Sequence, residues 1–174
     1  FVVFGAIILL AVMVFIDPLK EIIISDEEYW EAMEIVPIIL LANLFLGIYH
    51  NLSVWYKITD RTKMGGYISI VGAAATIILN VILIPIIGYK GSAIATLVAY
   101  GLMMILSFLI GRKYYPIPYD LQKIGIYLGV SILFGSLSFY IFDRNIIIGS
   151  LLLLLFLIMV FLKEKNNFKK ILQR

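Results

Sequence analysis

The sequence contains no cysteine. Disulfides are therefore impossible, and any metal site built on thiolates is excluded. Histidine is nearly absent as well: His50 is the only one. No HExxH, Gly-x-Ser-x-Gly or Walker loop occurs, so the common sequence marks of a zinc hydrolase, a serine hydrolase or a P-loop nucleotidase are missing. Charge is missing from the long apolar runs. Every Asp and Glu falls in a loop, an interfacial stretch or the tail, so no carboxylate pair stands inside a run to do acid–base chemistry. An enzyme active site is not expected, nor is a resident cofactor, a metal or a nucleic-acid partner.

What is present is apolar. Of the 174 residues 63% are hydrophobic, and the mean hydropathy is +1.05. Soluble domains sit nearer about 45–50% apolar. The polar gaps are too short to hold a soluble domain. The composition predicts an all-α, polytopic transmembrane helix bundle. The chain opens at Phe1, already inside an apolar run, without an initiator Met or a charged leader. It reads as the C-terminal part of a longer membrane protein.

Six spans are expected, at about 1–16, 35–56, 67–87, 92–111, 124–142 and 146–162. Each run is close to the length a helix needs to cross a hydrocarbon core of about 30 Å; the first is cut off at its start. Asp17-Pro18 should end the first span, because proline breaks the hydrogen-bond ladder and restricts the residue before it. Residues 17–34 are acidic: Asp17, Glu21, Asp26, Glu27, Glu28, Glu31 and Glu34 stand against Lys20 alone. That segment could bind a cation, or it is a solvated helix start with acids at the positive end of the dipole. Ser25 and Glu28 fit a capping box that would open a helix near Asp26, and Tyr29 and Trp30 suit an interfacial aromatic belt. Pro37 should bend the second span.

The third and fourth spans meet at Gly88-Tyr89-Lys90-Gly91, too short for anything but a tight turn, and form a transmembrane hairpin. Pro116 and Pro118 favour an extended linker before the fifth span, in which Gly125 and Gly129 have GxxxG spacing. Asp143-Arg144-Asn145 is a minimal turn. The sixth span is nearly all Ile, Leu and Phe and should face lipid, and the basic tail 163–174 could lie on the membrane surface.

Lys and Arg are distributed unevenly. Eleven fall in the loop after the second span (Lys57, Arg61, Lys63), the loop after the fourth (Arg112, Lys113, Lys123) and the tail (Lys163, Lys165, Lys169, Lys170, Arg174); three, Lys20, Lys90 and Arg144, fall on the other side. The positive-inside rule then puts the tail and both basic loops in the cytoplasm.

Small residues give the packing expectation. Gly91, Ala95 and Ala99 recur every four residues on the fourth span, and Gly72 and Thr76 do so on the third. Lipid tails provide no hydrophobic push between helices, so close approach over small residues is how such helices associate. The polar residues inside the spans, Asn43, Asn51, Thr76, Asn80 and Tyr100, are candidates to line a substrate cavity; the alternative is plain packing. His50 is either a relay or a hydrogen-bonding group at a helix neighbour or headgroup.

Two patterns carry a resemblance: Tyr29-x-x-Ala32-x-x-Ile35-Val36-Pro37, and Asn80-x-x-Leu83-Ile84-Pro85-x-x-Gly88-x-x-Gly91-Ser92-Ala93-Ile94-Ala95-Thr96. Together, over about residues 29–100, they resemble the C-terminal half of polysaccharide (O-antigen, Wzx-type) flippases of the MATE-like multidrug/oligosaccharidyl-lipid/polysaccharide exporter superfamily. The resemblance implies the C-terminal part of a two-lobe transporter. Residues 1–111 would be helices of the C-terminal lobe, and 112–174 two additional transmembrane helices with a basic cytoplasmic tail. It implies a multi-pass protein of the bacterial cytoplasmic membrane, with its C-terminus cytoplasmic. The function implied is movement of lipid-linked (undecaprenyl pyrophosphate) oligosaccharide by alternating access, in contact with membrane lipids and completed by the N-terminal part of the same protein.

In that family, basic residues in the cavity are thought to hold the pyrophosphate. None of these six spans carries Lys or Arg, so the N-terminal part would have to supply them. The competing readings are a cation-coupled multidrug antiporter of the same superfamily, which should carry a carboxylate within a span, and a membrane enzyme, which would need polar catalytic groups or a large external loop.

Overall fold

Pro18 sets the course of the first span. It has no N–H to offer the Val14 carbonyl, and its ring crowds that carbonyl. The computed structural model shows the consequence: α1 (Val2–Val14) stops there, Phe15 lies outside regular helix, and α2 (Ile16–Ile23) leaves at 75°. The ladder bonds on either side, from Phe15 N–H to Ala11 O and from Leu19 N–H to Phe15 O, are intact at 3.0 and 3.1 Å. Asp17 and Pro18 thus sit in the first turn of a second helix instead of ending the helical path, a position where a missing N–H costs nothing. The structure describes residues 1–24 and 26–172, and only the backbone of Glu27, Glu28 and 166–172. The capping box expected at Ser25 and Glu28, and the side chains of the tail from residue 166 on, lie outside the described residues.

A 3₁₀ stretch, Glu27–Ile35, leads into α3 (Val36–Leu52), with Pro37 in its first turn. Pro37 opens this α-helix and does not bend it; tolerance of proline is greatest where the N–H would be unpaired anyway. After the one-turn α4 (Val54–Ile58) come the long α5 (Thr62–Ile87) and α6 (Tyr89–Tyr114). The turn between them is a single residue, Gly88, at φ 61° and ψ −141°. That backbone region is open almost only to glycine, so the expected tight turn is shorter still than the four residues of the connector.

Residues 115–120 are not helical, and α7 (Leu121–Ser136) starts with the Asp120 carboxylate accepting from the Lys123 N–H at 3.1 Å. A π-helical turn, Leu137–Ile141, ends it. Asp143 and Arg144 then take positive φ, and Asn145 Oδ1 accepts from the N–H groups of Ile147 and Ile148 to start α8 (Ile146–Leu172).

Five helical stretches among the described residues are long and apolar enough to cross a membrane, and α1 with α2 makes a sixth if the bent pair is one span. Large apolar side chains stay exposed along them, such as Ile70, Ile77 and Val81 on α5 and Ile147, Leu151 and Leu154 on α8. The chain is an all-α, multi-pass membrane helix bundle.

Two compact units divide it. One is Phe1 with Glu34–Tyr119, in which α3 and α5 both pack on α6. The other is Val2–Met33 with Asp120–Arg174; there α1, α7 and α8 pack together around Ala6, Leu10, Val14, Tyr127, Phe156 and Val160. Space thus groups the first span with the last two. Gly125 and Gly129 have nothing within 4 Å of where a Cβ would stand, so the GxxxG face of α7 is open; Gly135 instead takes the Met13 side chain.

Candidate functional site

The first unit is built on a row of α6 residues, small except for Met103. Gly91, Ala95, Ala99, Met103, Ser107 and Gly111 form a row spaced by four, and all six are buried. Each step of four residues turns about 40° round the helix, so the row swings from one neighbour to another. At its start a Cβ on Gly91 would stand 2.7 Å from the Leu83 carbonyl carbon of α5. Midway, the Met103 thioether fills the space that Gly72 leaves on α5. At its end Gly111 lies against the Trp55 indole of α4, whose N–H donates to Ser107 Oγ at 3.3 Å with both residues buried. The continuation to Ser107 and Gly111 is absent from the sequence reading, although the spacing that marks Gly91, Ala95 and Ala99 extends to them.

The cavity candidates lie on three helices and do not converge on one pocket among the described residues. Asn43 and Asn51 are exposed on α3, and their Nδ2 groups donate to the Ile39 and Gly47 carbonyls of the same helix at 2.8 and 3.0 Å. Thr76 Oγ1 donates to Gly72 O at 2.9 Å. In apolar surroundings the nearest acceptor is the helix's own carbonyl four residues back, and it captures these donors. Tyr100 is half-buried and packs on the cluster of Tyr49, Trp55, Ile68 and Met103. Asn80 differs: its Oδ1 is buried without a hydrogen-bond partner, a state that costs about 1–3 kcal/mol. His50 is exposed, with its ring 5.4 Å from that of Tyr49. Asn43, Gly47, His50 and Asn51 make a strip on α3, and the Phe1 ring covers Gly47.

Ion pairs mark the helix ends. In the first unit Lys90 Nζ meets Glu34 Oε2 at one end; at the other, the Arg61 guanidinium lies 4.0 Å over the Tyr114 ring. In the second unit Asp17 Oδ1 accepts from Lys20 at 2.8 Å and from Arg144 at 3.3 Å, so two cations neutralise the start of the acidic segment. At that unit's opposite end the Tyr127 hydroxyl donates to Glu164 Oε1 at 2.8 Å, with Lys123 Nζ 3.8 Å from the same oxygen. Among the described residues no three His, Asp or Glu side chains are grouped to hold a metal ion.

A shallow hollow opens where α4 meets the end of α6. Trp55 and Ser107 are buried at its floor, and Arg112, Tyr115 and Tyr119 are exposed around it. The Tyr119 ring stands 6.4 Å from Phe108, and partial burial raises its phenol above the ordinary value. No protein-family model, curated protein or solved structure matches the chain.

Proposed function

We propose that the chain is part of a membrane transporter, not an enzyme, that moves a lipid-linked oligosaccharide across the bacterial cytoplasmic membrane by alternating access. One observation carries the reading: the stretch from Asn80 to Thr96, whose pattern resembles polysaccharide flippases. Physical chemistry explains that pattern. Gly88 is required by its backbone angles, Gly91 by its approach to Leu83, and Pro85 falls in the last turn of α5, near the end of its ladder. Within the stretch, Asn80 Oδ1 is buried without a hydrogen-bond partner.

A pyrophosphate headgroup carried through hydrocarbon needs a polar, cationic path, since an uncompensated charge there costs at least several kcal/mol. The spans here contribute amides and hydroxyls, with Asn43 and Asn51 exposed on α3. They form one wall, and the cations come from elsewhere in the complete protein. The orientation proposed has the basic loops and the C-terminus in the cytoplasm. It is supported by the excess of Lys and Arg in those loops and the tail.

Deleting the gene in its host should abolish surface polysaccharide and trap lipid-linked repeat units on the inner leaflet. The complete gene should restore export, and residues 1–174 alone should not. Intact surface glycan with new sensitivity to cationic drugs would replace this reading by a multidrug antiporter.

A further inference from the structure

The two basic loops of the first unit meet at one end. Arg61, on the turn before α5, stacks over Tyr114 at the end of α6, next to Arg112 and Lys113, and Tyr114 stacks in turn on Trp55 at 5.8 Å. Lys57 and Lys63 flank Arg61 in the chain. Lys57, Arg61, Lys63, Arg112 and Lys113 are all exposed, and none forms an ion pair among the described residues. Asp60 precedes Arg61 in the chain. The opposite end of the unit differs, because its Lys90 is paired with Glu34. The Tyr114 ring holds the Arg61 guanidinium at this end by a cation–π contact.

Exposed apolar side chains adjoin these cations: Val54 and Ile58 on α4, and Leu109 on α6. A ligand for this surface must therefore be anionic at one end and apolar at the other. We propose that this end of the unit binds the headgroup of an anionic phospholipid. Arg112, at the hollow floored by Trp55 and Ser107, and Lys63 and Lys113 are the phosphate ligands. This inference rests on the arrangement of cations and exposed apolar side chains and stands independently of what the protein transports.

Each cation near an anionic lipid surface contributes about fivefold in affinity, so removing three should cost on the order of 100-fold. The probe is phosphatidylglycerol, added to the detergent-solubilised chain and counted by native mass spectrometry. The wild type should retain it, should not retain phosphatidylcholine, and should be unaffected by inorganic phosphate. The Lys63→Gln/Arg112→Gln/Lys113→Gln variant should lose it on the order of 100-fold, whereas Lys163→Gln/Lys165→Gln on α8 should bind as wild type. If the triple variant does not elute as a folded species, Arg112→Gln should lose about fivefold and Arg112→Lys should keep most binding. Equal retention by wild type and the Gln variants overturns the proposal. Competition by inorganic phosphate also overturns it, in favour of a free-anion site, and so does loss confined to the α8 variant.

Discussion

Ala95 shows what a single residue does in this bundle. It is fully covered on α6, in the row where Gly91 already touches Leu83 backbone. A larger side chain there has no void to enter, because the space is set by the helices themselves. Ala95→Leu should lower stability by about 1–3 kcal/mol, the usual cost of overpacking. Thermal unfolding in detergent measures this, and an unchanged midpoint would mean that the Ala95 face looks at lipid. The polar residues obey a different local rule. Asn43, Asn51 and Thr76 could each have reached across to a neighbouring helix, yet each bonds to its own backbone. Their presence in an apolar run was plain from the sequence. That their donors are already consumed was not, because it depends on which rotamer finds a carbonyl first.

At the scale of elements, Pro18 decides the shape of the first span. A straight helix from Phe4 to Ile22 would run about 27 Å, and the 75° bend shortens this to about 22 Å. Pro18→Ala restores the N–H that Val14 O lacks, so the segment should straighten. Spin labels at Phe4 and Ile22 should then report a distance longer by roughly 5 Å. An unchanged distance would mean that the contacts of Asp17 with Lys20 and Arg144 hold the bend without the proline. The hairpin of α5 and α6 was the most legible element, since two apolar runs separated by four residues admit one topology. Its one-residue turn at Gly88 was less so: helix ends extend until geometry forbids another residue, and composition does not mark that limit.

For the whole molecule, the alternation of loops rich and poor in Lys and Arg makes a topological prediction. Residues 1–174 contain no cysteine, so a single introduced thiol has no competitor among them. In intact cells an impermeant reagent should label Lys90→Cys and leave Lys63→Cys unlabelled; the reverse result inverts the orientation. Within each unit the end contacts agree with the alternation. Arg61 meets Tyr114, and Lys90 meets Glu34; Lys123 and Tyr127 meet Glu164, and Arg144 meets Asp17.

Composition and hydropathy by themselves determined that this chain is a membrane helix bundle, and located the last four of its spans to within about five residues; the first runs on past Asp17-Pro18 to Ile23 as a bent pair. Those properties are local: a run of about 20 apolar residues must become a helix in lipid, whatever surrounds it. Which helices pack together was decided only in three dimensions. To a hydropathy pattern α1, α7 and α8 look like any other apolar run, and lipid offers no hydrophobic reason to prefer one partner. The choice falls to fits that join distant parts of the chain. Met13 packs into the gap at Gly135, Val14 lies against Gly149, and Asp17 reaches Arg144 127 residues away.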